Sequence, residues 1–376
     1  MKYLMLVCEG LADEPVQELG GRTPLEAAKT PFMAGLAKKG AVGYASWAPN
    51  ALRPTNDVAC LSLLGYNPLE YYTGIAPLEA LSFDVPQNDQ ELVFRCDLVA
   101  MLDEALVDGT AGNISPREAS FLIEALNKKL AKPGLRFHAG QGHKNFLVVS
   151  GPEAEALDEL ECVAPSDFLG QRHSKYLPQG KGAKTLTDLM AEASALLENH
   201  EINRVRIDLG ENPANRVWFW GQGKRPKLPA FNQKYGKKGA LVSEAAYAKG
   251  LGKALGLDTA AELIAALPDK EFVFIHKGDG GVPPTLKNKI KRIEEFDALL
   301  GHVLKAVKTA DCRVFVGAAC AESLAKKTTV YGHTPFIVQG KGMATDEAQA
   351  FNEKTAAQSK LLFDDGHKLI EFFLKP

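Results

Sequence analysis

No stretch of this chain approaches the ~20 consecutive apolar residues that a membrane-spanning helix needs, so no membrane partner is expected. The apolar run from Tyr3 to Cys8 is far shorter. It stops at Glu9 with no small-residue cleavage site behind it, which predicts a buried strand rather than a signal peptide. Neither sign of charge is in excess: 44 Lys and Arg against 46 Asp and Glu leave a net charge of −2. Nothing in that balance favours a polyanion, and no nucleic-acid partner is expected. The basic cluster Lys287-Asn288-Lys289-Ile290-Lys291-Arg292 reads as a solvated helix face. Cysteine is sparse, six residues at 8, 60, 96, 162, 312 and 320, with no CxxC pair and no close, even spacing. That excludes a disulfide framework and predicts buried, reduced thiols in a cytoplasmic protein. Histidine is sparse too, with eight in 376 residues. There is no internal repeat and no low-complexity segment.

What is present is ordinary globular composition, 45% apolar and 24% charged, in a chain too long for one simple core. Strand-like runs alternate with helical periodicity. Tyr3 to Cys8, Val42 to Trp47, Glu91 to Met101, Leu135 to Ala139, Asn145 to Ser150, Val205 to Leu209, Phe272 to His276, Arg313 to Ala318 and Pro335 to Val338 read as strands. Thr30-Pro31 opens a helix with Thr as the N-cap. Ser115-Pro116-Arg117-Glu118 is a capping box for a helix to about Leu130. Leu186 to Leu197 and Val242 to Leu255 are helical, and Ile290, Ile293, Phe296, Leu300, Val303 and Val307 line one face of a longer helix. The alternation predicts an α/β fold, a mostly parallel sheet with helices on both faces. Residues 1–99 and 179–376 would form this core domain, and 100–178 a smaller inserted α+β domain.

Chemistry concentrates at a few points. Glu9 to Pro15 is an acidic loop at the carboxyl end of the first strand, where open α/β sheets place their ligand sites. Arg53 to Tyr66 reads as a turn feeding a short helix, with Thr55, Asn56 and Asp57 each a candidate N-cap. Free backbone N–H groups at such a turn favour an anion, and enzymes put nucleophiles there. Here the tip is an amide, Asn56. Arg95 and Asp97 lie two apart, hence on one strand face, as ligand contacts or as an internal salt bridge. Lys224 and Arg225 stand beside glycines, where they either hold a phosphate or carboxylate or pack with Trp218 and Trp220. His276 ends a buried strand and reads as structural. Cys320 reads as a buried thiol.

Several strings together resemble the archaeal-type cofactor-independent (2,3-bisphosphoglycerate-independent) phosphoglycerate mutases of the alkaline phosphatase superfamily. They are Lys2 to Leu4 with Gly10 to Pro15, Gly20 to Pro31, Leu61 to Pro68, Tyr71 to Gly74, Phe94 to Cys96, Asn212 to Asn215 with Trp218 to Pro226, and Lys234 to Gly236. The resemblance runs nearly end to end. It implies an alkaline-phosphatase-type α/β domain with a smaller insertion. It also implies phosphoryl transfer between the 2- and 3-positions of phosphoglycerate, by way of a serine and two divalent ions, manganese or zinc, held by carboxylates and histidines.

Position by position, this chain departs from that pattern. The first metal Asp corresponds to Glu9, and the nucleophilic Ser to Asn56. The ligand loop of the family is shorter here, with Asp279 as its surviving carboxylate and no counterpart to its His. The Asp-His pair falls on Ala319 and Cys320, and the last His ligand near Thr329. In the insertion, an Ala-Gly-His string becomes Ala111-Gly112-Asn113. The resemblance adds Asn215 to Arg95, Asp97, Lys224 and Arg225 as candidate substrate contacts.

An amide forms no phosphoenzyme, and a two-ion centre does not survive the loss of several ligands together. The expectation is a catalytically degenerate member that needs no metal or other cofactor. It would act as a binding, regulatory or structural subunit, with a phosphorylated small molecule, a second copy or another protein as partner. The alternative is a metal-dependent phosphotransferase, phosphomutase or phosphohydrolase working through Glu9, Thr55, Asp57, Asp279 and the Lys224-Arg225 pair.

Overall fold

The computed structural model describes residues 1–260, 269–278, 285–307, 311–346 and 348–375. The chain divides into two compact units, Met1–Tyr72 with Leu228–Pro376, and Thr73–Lys227. The second unit contains the whole stretch 100–178 and extends beyond it on both sides. The reason is strand pairing: Leu92–Leu102 pairs along its length with Arg216–Lys224, so neither can be left outside.

The first unit is built on an eight-stranded sheet. Its order is Leu362–Phe363, Ala41–Ser46, His333–Gly340, Cys312–Ala318, Lys2–Cys8, Phe272–Lys277, Gly239–Val242, Asp258–Ala260. His333–Gly340 runs antiparallel to both its neighbours, and the remaining pairs are parallel. Lys2–Cys8 is central and buried on both faces, as its unbroken apolar run requires. On one face, Leu4, Leu6 and Cys8 join Ile293, Phe296 and Leu300 of the long helix Leu286–Ala306 and Leu36 of the helix Pro31–Ala37. On the other, Tyr3 and Phe315 meet Phe373 of the C-terminal helix edge to face.

Two local expectations change. Thr30 precedes Pro31–Ala37 but makes no capping bond. The Asp297 carboxylate, from the long helix, accepts from the N–H groups of Phe32 (3.1 Å) and Met33 (2.7 Å) instead. A neighbouring helix therefore does the work of a local cap. Val242 closes a strand, and the helix after it is Ala246–Ala254.

The second unit is an antiparallel sheet of Ala105–Asp108, Leu92–Leu102, Lys144–Val149, Leu135–Gln141 and Arg216–Lys224. Helices Pro116–Leu130 and Ala183–Glu198 cover it through Leu122, Ile123, Leu126, Leu186 and Ala193. The strand expected over Val205 to Leu209 is instead part of a helix, Glu201–Asp208. The alternating Val205, Ile207 and Leu209 suggested one buried strand face, yet all three are at least half exposed. Asn203 and Arg206 point inward instead. Among the described residues, no helix is long and apolar enough to cross a membrane.

Candidate functional site

Parallel pairing brings Cys8, Lys277 and Ala318 to one level at the carboxyl edge of the first unit's sheet. The chain just beyond them carries Glu9, Gly278 and Ala319, with Glu9 N–H donating to Lys277 O (3.0 Å) and Ala319 N–H to Cys8 O (3.3 Å). Val242, one strand further out, delivers Ser243 to the same edge.

Around Glu9 the polar groups are buried and mutually satisfied. Tyr247 OH donates to Glu9 Oε1, and His276 Nε2 lies 3.2 Å from the same oxygen. The other ring nitrogen, Nδ1, is 2.9 Å from Ser243 Oγ, which in turn accepts from Ala245 N–H (3.0 Å). Burial pulls the His276 pKa down, but Cys60 and Glu9 outweigh it and push it up to about 10. A protonated ring there would donate from both nitrogens, and the side chain has no solvent exposure.

Asn56 begins the helix Asn56–Leu63, preceded by Thr55 in an extended conformation with no capping bond of its own. The amide is fixed at both ends. Its Oδ1 accepts from Cys320 N–H (3.3 Å) and its Nδ2 donates to Glu322 Oε1 (3.3 Å). Cys320 Sγ donates to Thr55 O (3.3 Å), and burial pushes that thiol well above the usual range. A thiol so placed is a poor nucleophile. Asp57 is buried and accepts a 2.5 Å hydrogen bond from Tyr72 OH.

Glu322 lies in a short hairpin, Ala321–Ser323 with Thr328–Val330, directly opposite Thr329. Burial first, and Glu9 second, push the Glu322 carboxyl up. Arg292 Nη1 lies 3.7 Å from Glu322 Oε2. Gly10, at φ +70°, makes this approach possible: a Cβ there would sit 2.7 Å from Arg292 Nη1 and 2.8 Å from Glu322 Oε2. Beside it, Lys289 donates to Asp13 Oδ2 (2.7 Å), to Ala12 O (3.3 Å) and to Glu322 O.

These residues do not fit a two-ion centre. The Ala319 side chain has no atom that could ligate an ion, Cys320 is a buried thiol bonded to a carbonyl, and Glu9 is engaged by Tyr247 and His276. Asp279 lies outside the described residues. Among the described residues, no group of three or more His, Cys, Asp or Glu side chains is arranged to hold a metal ion.

The candidates in the second unit are held internally. Arg95 Nε donates to Asp97 Oδ1 (2.9 Å), and its Nη1 to Glu79. Asp97 Oδ2 accepts from Trp220 Nε1 (2.7 Å), and the guanidinium lies 5.2 Å from the centre of that ring. Arg95, Asp97 and Glu79 are all buried, so of the two readings of this pair the geometry is that of the internal salt bridge. Asn215 clamps the Met101 backbone, donating to its O (2.8 Å) and accepting from its N–H (2.9 Å). Lys224 pairs with Asp158 (3.0 Å), while Arg225 is exposed. Ala111, Gly112 and Asn113 all have positive φ. Asp108 holds this loop from one side, accepting from Gly112 N–H (2.8 Å), and Arg206 from the other, donating to Ala111 O (2.8 Å).

Reasoning from the sequence missed Glu322, Arg292, Tyr247 and Ser243. Two of the basic residues read as a solvated face, Lys289 and Arg292, are buried, whereas Lys291 is exposed. A signal for them exists: positions 289, 292, 293, 296 and 300 continue one helical stripe.

The model of the family described as 2,3-bisphosphoglycerate-independent phosphoglycerate mutase matches residues 37–203. The chain is 34% identical to the protein of that name from Methanosarcina mazei over an alignment 399 positions long, gaps included, that covers 100% of both chains. It is also 34% identical to a probable 2,3-bisphosphoglycerate-independent phosphoglycerate mutase of Geobacter sulfurreducens, again over 100% of both. Among solved structures, the cofactor-independent phosphoglycerate mutase from Thermoplasma acidophilum matches with a TM-score of 0.64 at 25% identity, over 100% of this chain and 99% of that one. A Pyrococcus horikoshii protein matches with a TM-score of 0.81 at 25% identity, over 99% and 97%.

Proposed function

The chain belongs to the 2,3-bisphosphoglycerate-independent phosphoglycerate mutases, and on that premise we propose that it is a member without phosphoryl-transfer activity, serving as a binding or regulatory subunit. The observation that carries this reading is Asn56. It stands where the family pattern has its serine, and its amide is tied at both ends to the 319–322 segment. An amide nitrogen is delocalised and has no usable lone pair, so it forms no phosphoenzyme. Ala319 and Cys320 add nothing that would hold a hard or borderline divalent ion in place of carboxylate and imidazole. The reading entails no required divalent ion, and a protein partner or a phosphorylated small molecule as what is bound. Its six cysteines, none of them in a disulfide, support a reducing, cytoplasmic setting.

The alternative, a remodelled metal-dependent phosphotransferase using Glu9, Thr55 and Asp57, runs against the engagement of Glu9 by Tyr247 and His276 and of Asp57 by Tyr72. The deciding experiment is a coupled assay of 3-phosphoglycerate conversion by the pure protein with added manganese, zinc or cobalt, and hydrolysis of a phosphate ester in parallel. No turnover above the buffer blank is expected. Metal-dependent turnover in either assay would overturn the reading.

A further inference from the structure

We propose that the groove between the helices Pro116–Leu130 and Glu201–Asp208 is a docking surface for another protein, and that its occupant is an amphipathic helix whose apolar stripe is flanked by lysine or arginine. The inference concerns a surface of the second unit and stands whether or not the Asn56 turn has lost its chemistry. The groove has a volume of about 570 Å3, so it receives side chains rather than offering a flat face. Its apolar lining is Phe121, Ala125, Ile202 and Val205.

The local sequence explains why this surface is both apolar and open. In Glu201–Asp208 the inward positions belong to polar side chains. Asn203 donates to Leu197 O (2.8 Å) and Ala214 O (2.9 Å), and accepts from Ala214 N–H (2.8 Å). Arg206 donates to Asn212 O (3.0 Å) and Ala111 O (2.8 Å). These bonds fix the rotation of the helix about its axis, so Val205 cannot turn inward and is 50% exposed. On Pro116–Leu130, Leu122, Ile123 and Leu126 take the buried positions, and Phe121 is left 48% exposed. Phe121 and Ala125 are four residues apart, and Ile202 and Val205 three, so each helix turns one short apolar stripe to the groove. A trough of that kind between two helices is where a third helix seats a ridge of side chains.

Charge decides which helix fits. The carboxylates of Glu118, Glu124 and Glu201 line the groove against one lysine, Lys128. Arg206 answers Glu118 from within the chain (2.9 Å). Glu124 and Glu201 are exposed, and among the described residues neither carboxylate has an ion pair or a hydrogen bond. The rim is acidic on balance and is complemented by cations opposite Glu124 and Glu201. A two-fold contact sets the same patch on both sides. A second copy docked groove to groove would therefore repeat the surplus of carboxylates instead of offsetting it, and complementarity favours a different, basic chain.

The test uses the full-length protein and a fluorescent peptide of leucine and lysine patterned as an amphipathic helix, beside its twin with glutamate in place of lysine. Binding is read by fluorescence anisotropy, and oligomeric state by light scattering after size exclusion. The parent protein is expected to bind the lysine peptide saturably and the glutamate twin far more weakly. Phe121→Ser/Val205→Ser alters two exposed positions, so it is expected to fold and to bind the lysine peptide roughly tenfold or more weakly than the parent. Glu124→Lys/Glu201→Lys leaves the apolar lining intact and is expected to reverse the preference between the two peptides.

A parent protein that binds no lysine peptide overturns the proposal. So does binding that Phe121→Ser/Val205→Ser leaves unchanged, or a glutamate twin that binds the parent as tightly as the lysine peptide. A parent dimer that becomes monomeric in Phe121→Ser/Val205→Ser means that a second copy fills the groove, and that result overturns the proposal as well.

Discussion

Replacing Asn56 by serine puts the family's reactive group back into its turn and tests whether that turn still serves chemistry. The amide makes two bonds with two atoms, to Cys320 N–H and to Glu322 Oε1, each at 3.3 Å. A serine hydroxyl is one atom on a shorter stem, so it cannot span both partners. A bond to a charged group is worth ~1.5–3 kcal/mol, and a buried N–H left without a partner costs ~1–3 kcal/mol. At 3.3 Å both bonds are long, which favours the low ends and a total of ~2.5 kcal/mol. In a unit of roughly 220 residues, each kcal/mol moves the melting temperature by ~2–4 °C, so Asn56→Ser is expected to lower it by ~5–10 °C. The assay is calorimetric melting, beside mass spectrometry for phosphoserine after incubation with phosphoglycerate and manganese. A lowered melt with no phosphoserine is the expected pair of results. If Asn56→Ser melts at or above the parent, the amide is not the strut described here. If it accumulates phosphoserine or turns over phosphoglycerate, the remaining residues still assemble a competent site.

In the second unit, Arg206 is buried and donates to Ala111 O, Asn212 O and Glu118 Oε1 at 2.8–3.0 Å. Because Glu118 is one-third exposed, Arg206→Met is expected to cost near the lower end of the ~3–5 kcal/mol typical of a broken buried pair. Hydrogen exchange should show the loss confined to residues 73–227, and an unchanged exchange pattern there would contradict it. For His276 the folded pKa, about 10, lies above the ordinary 6.5. Its stabilising contribution is therefore complete below pH 6.5 and disappears as pH rises to about 10. The stability advantage of the parent over His276→Gln should shrink steadily across that range, with a slope no steeper than ~1.4 kcal/mol per pH unit. A difference that does not vary with pH would mean that the imidazole is neutral throughout.

Legibility in the sequence depended on whether a residue's role was set by its neighbours along the chain or by a distant segment. Continuous apolar runs such as Tyr3 to Cys8 and Phe272 to His276 need burial on both faces, and that requirement is local, so the mostly parallel sheet could be read from pattern. Val205, Ile207 and Leu209 alternate as a strand would, but their period was accidental. His200 accepts from Ile202 N–H to start a helix, and the two residues that bury themselves are polar. The site divides in the same way. A family pattern names positions, and it drew attention to Asn56 and Cys320, which meet in the structure. It says nothing of new partners. Glu322 and Arg292 are thirty residues apart, Tyr247 and Glu9 more than two hundred, and no periodicity links them. Arg292 in particular was hidden by composition, because a run rich in lysine looks solvated whichever of its members turns inward. What marks it is the stripe it shares with Ile293, Phe296 and Leu300. A cation on the apolar face of a helix must be answered by a buried anion, and here that anion is Glu322, at the edge where the Asn56 turn also points.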